Sequence, residues 1–189
     1  MRVTLFFIFA LLVQQAAFAQ DITGLWKGTI TTTGSSLYYE LVVTNQHDNK
    51  YEGYALTVYV DKGVENMGIK SAEIKKKGNK VVFEDDKLVY NNFTTPPKRV
   101  KLFASMALEV NGNSMTLKGT FNTRSLDLRY AETFSGTIQL QKEAATVTSK
   151  LIAKLEELKI NGQETIAKAP DKEIENKKTE QLKESNKFG

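Results

Sequence analysis

The chain has no cysteine, three prolines, one histidine and one tryptophan among its 189 residues. Without cysteine there is no disulfide framework, no thiolate metal site, no cysteine nucleophile and no lipid attached through a thiol. A single histidine is too few for an ordinary zinc site. It is His47, in the polar stretch Asn45-Gln46-His47-Asp48-Asn49, which reads as a solvated turn and not as part of a catalytic triad. Glycine-rich phosphate loops and the G-x-S-x-G nucleophile elbow are also missing. Neither sign of charge dominates. Lysine and arginine total 26 against 22 acidic residues, a net +4, which is too small an excess to imply a nucleic-acid partner. The expectation is a protein with no cofactor and no catalytic constellation.

Long apolar runs are scarce too. Val3 to Val13 holds eleven residues, well short of the roughly 20 that a membrane-spanning helix needs. It follows Arg2 and precedes Ala16-Ala17-Phe18-Ala19, whose Ala17-x-Ala19 spacing suits a signal peptidase. The segment 1–19 therefore reads as a signal peptide cleaved after Ala19. The protein is expected to be secreted or periplasmic, with no transmembrane segment in the mature chain.

Beyond Ala19 the composition divides near residue 142. Residues 20–142 carry all seven tyrosines, the tryptophan and the histidine, with 16 basic and 13 acidic residues. In this segment apolar residues recur at every second position between short polar turns, the signature of half-buried strands. The inward series read as Gly24, Trp26, Gly28 and Ile30, then Leu37, Tyr39, Leu41 and Val43, then Tyr54, Leu56, Val58 and Val60. Met67 and Ile69 follow, and the phase slips at Ser71-Ala72 before Ile74. Next come Val81 and Phe83, the long series from Val100 through Leu102, Ala104, Met106 and Leu108 to Val110, then Met115, Leu117, Gly119 and Phe121. Phe134, Gly136, Ile138 and Leu140 close the set. Eight strands joined by turns such as Asp61-Lys62-Gly63, Gly78-Asn79 and Asn111-Gly112-Asn113 favour antiparallel neighbours. The predicted fold is all-β, an eight-stranded antiparallel up-and-down barrel. Closure leaves no exposed edge in a chain with no helix before residue 148 to cover one. An open sandwich is the competing arrangement.

Ile22-Thr23-Gly24-Leu25-Trp26 at the start of the first strand resembles the G-x-W opening of calycin barrels, the lipocalin, fatty-acid-binding and avidin group. With Tyr51-Glu52-Gly53-Tyr54 it looks more like avidin than a vertebrate lipocalin. The resemblance implies a lipocalin-like barrel in which Trp26 plugs the closed end under a basic side chain of the last strand, Lys142 or else Arg129. Biotin binding of the avidin type calls for several tryptophans, and this chain has one.

Two function classes fit such a barrel. It is either a binding module for a small, mostly apolar molecule or a structural and interaction module of the cell envelope with its interior filled by side chains. For the first, the candidate ligand wall is Tyr39, Leu56, Phe83, Met106 and Phe121. Gly28, Ala104, Gly119 and Gly136 would make room, whereas Trp26, Tyr39, Phe83, Phe121 and Phe134 would fill it. The segment from Asp85 to Lys98 is the longest connection and reads as a lid over the open end or as a tolerated insertion. Glu84-Asp85-Asp86 reads as an acidic turn, since it lacks the spacing of a calcium loop. Lys75-Lys76-Lys77 with Lys80 reads as a solvated hairpin tip, and docking to an anionic surface is its functional alternative. Asn92-Phe93-Thr94 matches a glycosylation sequon, which has meaning only in a eukaryotic cell.

After Lys142 the pattern changes. In residues 143–163, Leu151, Ile152, Leu155 and Leu158 keep helical spacing and predict an amphipathic helix from about Ser149 to Ile160. Its stripe is expected to pack on the barrel wall, where Val42 offers an apolar patch, or on a partner. Residues 164–189 form a mixed-charge tail with sparse apolar anchors, expected to be a flexible tether that engages an envelope partner.

Overall fold

The computed structural model describes residues 20–47, 50–93, 100–126 and 133–160. Eight strands pair in sequence order as a closed antiparallel barrel: β1 (Gly24–Thr31), β2 (Ser36–His47), β3 (Lys50–Asp61), β4 (Val64–Lys77), β5 (Lys80–Asn91), β6 (Val100–Asn111), β7 (Ser114–Ser125) and β8 (Ser135–Lys142). β8 returns to β1 with Trp26 opposite Lys142 and Thr31 opposite Thr137. The open sandwich is thereby excluded. The β3–β4 turn places both Lys62 and Gly63 at positive φ, the backbone twist that a two-residue hairpin prefers.

The barrel interior is packed with Trp26, Ile30, Tyr39, Leu41, Val43, Ile74, Val81, Phe83, Met106, Leu117, Phe121 and their neighbours. Gly28 and Gly119 do not open space for a ligand, contrary to the sequence reading. A Cβ on Gly28 would stand 1.9 Å from the Gln139 carbonyl oxygen, and one on Gly119 would stand 2.0 Å from that of Ser105. These glycines let adjacent strands close on each other at sharp bends of the wall.

A second apolar cluster lies outside the barrel. Leu25, Val42, Leu56, Val58 and Ile69 on the outer faces of β1 to β4 are covered by Leu151 and Leu155 of a helix, α1 (Lys150–Glu157). Three sequence expectations are corrected here. On β3 the inward residues are Tyr51, Ala55 and Thr57, whereas Tyr54, Leu56 and Val58 point out under the helix. On β4 the strand does not change face at Ser71. Met67 and Ile69 pack outside and Ala72 and Ile74 inside, so the apolar signal changes sides while the backbone keeps its phase. Phe134 precedes β8 and is half exposed, so it fills nothing.

The helix is held at its start by a buried carboxylate. Glu40 on β2 is fully buried and accepts hydrogen bonds from the Ser149 hydroxyl (2.5 Å), the Leu151 N–H (2.9 Å) and the Tyr38 hydroxyl (2.5 Å). Lys27 stands 3.6 Å from it and also donates to the Thr148 carbonyl. Ser149 is the N-cap, its hydroxyl accepting from the Ile152 N–H. A negative charge at a helix N-terminus meets unpaired N–H groups and the positive end of the helix dipole. The helix ends at Leu158, and Lys159 takes a positive φ of 54°, a left-handed stop. No helix among the described residues is long and apolar enough to cross a membrane. The expected signal peptide (residues 1–19), Arg129 and the 164–189 tail lie outside the described residues.

Candidate functional site

One end of the barrel is shut. Trp26 is completely buried, its indole N–H donates to the Ile22 carbonyl (2.9 Å), and the Lys142 ammonium lies 5.9 Å over its ring. Lys142 also donates to the Asp21 carbonyl at 2.8 Å, and partial burial holds its ammonium below the ordinary lysine value. The aromatic ring and its basic partner thus stand together at the closed end, as the calycin resemblance implies.

The opposite end is open. A cavity of about 760 Å³ enters between the ends of β3 to β7, and Tyr39, Ala55 and Leu102 lie where it meets the packed interior. Of the five residues expected to form the ligand wall, only Tyr39 lines it. Phe83, Met106 and Phe121 are inside the barrel, but they belong to the packed half, and Tyr39 stacks edge-on against Phe83 with ring centres 6.4 Å apart. Leu56 is on the exterior under α1.

β5 is distorted where it borders the cavity. One step from Ile69 to Lys70 on β4 spans two steps on β5, Tyr90 to Leu88. The two steps from Lys70 to Ala72 then span three, Leu88 to Asp85. Asp85 faces inward by plain alternation after Val81 and Phe83, while these bulges bring Leu88 to the cavity and send Val89 and Tyr90 out to the helix cluster. Glu84-Asp85-Asp86 is therefore strand and not an acidic turn. The first half of the expected lid, to Asn91, is likewise strand. From that expected lid, Phe93 reaches the mouth, over Gly68 and beside Tyr59. Asn92, the sequon residue, is occupied: its side chain accepts from the Met67 N–H and donates to the Glu65 carbonyl.

Asp85 is buried and pairs with Lys70 at 2.8 Å, while its other oxygen accepts the Leu102 N–H at 2.8 Å. Lys70 also donates to the Val100 carbonyl. Burial pushes the Asp85 carboxyl above its ordinary value of 3.8, and the Lys70 charge and the Leu102 N–H oppose that rise. At the rim Lys101 bridges Glu84 (3.0 Å) and Asp86 (3.3 Å). Lys87 completes a balanced set of three cations and three anions around the mouth. Below them the Tyr39 hydroxyl is fully buried, and among the described residues nothing pairs with it. Burial and then the Asp85 charge lift its pKa well above the ordinary tyrosine value.

No family model and no curated protein matches this chain. A solved structure does. Rhizavidin, known from a crystal structure, is 14% identical over 68% of this chain and 87% of its own, with a TM-score of 0.46.

The sequence reading missed Lys70 and Asp85. The signal was there in the period: Val81, Phe83 and Asp85 fall at every second position, as do Lys70, Ala72 and Ile74. A polar residue at an inward position of a strand is the mark of a polar lining, whereas Asp85 reads from its neighbours Glu84 and Asp86 as part of an acidic turn. His47 is the last residue of β2, paired with Lys50, and not a turn residue. Among the described residues no three His, Cys, Asp or Glu side chains are grouped to hold a metal ion.

Proposed function

We propose that this protein is an exported, non-catalytic binding barrel that takes one small molecule into its open end. The observation that carries the reading is the cavity of about 760 Å³, which ends at Tyr39, Ala55 and Leu102 against the packed half of the barrel and is within the size range of ligand pockets. Its walls include Ala55, Leu88, Phe93, Val100, Leu102 and Leu126, which suit an apolar ligand body. Apart from the Lys87 ammonium, the charged groups are tied to one another and to backbone groups, which favours a fixed wall over a free acid or base. Export rests on the 1–19 sequence and is tested by N-terminal sequencing of the secreted product, which is expected to begin at Gln20. The 164–189 tail is proposed as a tether to an envelope partner, so its deletion should leave ligand uptake intact.

Diphenylhexatriene, a hydrocarbon that fluoresces on leaving water, tests the binding reading directly. Saturable uptake of one probe per barrel is expected, and Thr57→Phe, which fills the cavity wall, should abolish it. Absence of saturable uptake, or uptake undiminished by Thr57→Phe, would overturn the proposal.

A further inference from the structure

The polar corner of the cavity restricts what the apolar walls can hold. A buried hydroxyl with no partner is costly, and native interiors seldom leave one so. Tyr39 has this feature, where the packed interior meets the cavity. Beside it the Lys70 ammonium has three protons, of which one goes to Asp85 and one to the Val100 carbonyl. The corner thus offers donors, and among the described residues the Tyr39 hydroxyl has no acceptor of its own.

That acceptor is constrained in charge. Lys70 is already matched by Asp85, and Lys101 by Glu84 and Asp86. A carboxylate set against Tyr39 would face Asp85 with little water between them, where like charges repel far more strongly than in bulk solvent. An ammonium there would meet Lys70 and would offer no lone pair to the hydroxyl. We infer that the ligand is a neutral molecule with an apolar body and one hydrogen-bond acceptor, a carbonyl or hydroxyl oxygen, that seats on the Tyr39 hydroxyl beside the Lys70–Asp85 pair. This rests on the reading of the barrel as a small-molecule binder. The pair acts as a selectivity element: Lys70 adds a second donor, and Asp85 excludes anions.

The test uses the chain from Gln20 to Gly189, loaded with diphenylhexatriene, which has no polar atom and so is indifferent to the Tyr39 hydroxyl. Three competitors share one apolar length: 2-decanone, decanoate and decylammonium. At neutral pH the ketone is expected to displace the probe at roughly one-tenth the concentration that either ion requires, the value of one good hydrogen bond. Tyr39→Phe, with its own probe affinity measured first and each competitor's displacement referred to it, should remove that roughly tenfold advantage. Asp85→Asn, which leaves Lys70 an unmatched cation, should turn the preference toward decanoate. If the probe binds but the ketone has no advantage, or keeps it in Tyr39→Phe, the inference fails and the binding reading stands. If decanoate is preferred by the unaltered protein, the corner is an anion site and the inference is wrong. If the probe does not bind at all, the binding reading falls and this inference with it.

Discussion

Replacing Glu40 by glutamine tests how the helix is held on the barrel. Each carboxylate oxygen serves two donors, one with the Ser149 hydroxyl and the Leu151 N–H, the other with the Tyr38 hydroxyl and, at 3.4 Å, the Lys150 N–H. Glutamine keeps one oxygen and sets an amide NH₂ against donors at the other, while the favourable charge at the helix start is lost. Hydrogen bonds to a charged group contribute about 1.5–3 kcal/mol each. Losing two, with some recovery as the hydroxyls rotate, costs about 2–4 kcal/mol. The ceiling is the docking free energy of the helix, because an undocked helix no longer needs the anchor. Burying Leu151 and Leu155 supplies roughly 3–6 kcal/mol before ordering costs. The expected loss is therefore comparable with the whole docking energy, and the variant helix should spend much of its time off the barrel. Hydrogen exchange of residues 150–157 should speed up by about 30- to 1,000-fold, and the melting temperature should fall by roughly 5–12 °C. Strand amides far from the helix, such as those of β6 and β7, should change less. Glu52→Gln, at an exposed carboxylate on β3, is the control. Unchanged helix exchange together with a melting temperature within about 1 °C of the parent would refute the anchor.

Trp26→Ala removes the plug of the closed end and should cost about 3–5 kcal/mol, read as a lower denaturant midpoint; a blue-shifted emission of this single tryptophan in the parent protein is the accompanying expectation. The Lys70–Asp85 pair should respond asymmetrically. Lys70→Met strands a buried carboxylate and should cost about 2–4 kcal/mol near neutral pH, whereas Asp85→Asn leaves an ammonium that water can still reach and should cost less than about 1 kcal/mol. Because the folded-state value of Asp85 is raised, its favourable contribution is complete below the ordinary 3.8 and is lost as pH rises through the folded value. Melting curves from about pH 3 to about pH 7 should therefore show the parent losing ground to Asp85→Asn as pH increases, and a gain would contradict the assignment. A chain ending at Gln163 should keep the full cooperative transition, while one ending at Lys142 uncovers Leu25, Val42, Leu56 and Ile69 and should melt several degrees lower.

The strands that could be read from the sequence were those with one apolar face. On β2, Leu37, Tyr39, Leu41 and Val43 alternate with Tyr38, Glu40 and Thr44, and on β6 the run from Leu102 to Leu108 is one-sided. Both point inward as expected. β3 misled because its bulkier residues, Tyr54, Leu56 and Val58, face a helix that begins some ninety residues later, while the barrel side keeps the smaller Ala55 and Thr57 beside the cavity. Hydrophobic weight records burial, not direction, and a strand buried on both sides loses its phase. The C-terminal stripe and Val42 were the clue that the outside was covered as well. Asp85 was illegible for the complementary reason, since its value lies in a partner, Lys70, fifteen residues away across a bulged ladder. Tyr39 could be placed inside from its alternation, but the sequence did not show that its hydroxyl has no partner.

The strand order has a kinetic consequence. Seven of the eight ladders join strands adjacent in sequence, so each can zip from a local connection. Only β1 against β8 requires the two ends of the barrel segment to meet, with Trp26 opposite Lys142. The entropy of closing a loop must be met before such a contact stabilises anything, so this seam forms last on folding and parts first on unfolding. The tight approach of Gly28 to the Gln139 carbonyl lies on that seam, and so does the plug. Joining Lys142 to Gly24 by a short linker and opening the chain at the Gly112 turn would relocate the slow ladder to β6 and β7. The barrel would keep its cavity while exchanging the seam at which it comes apart.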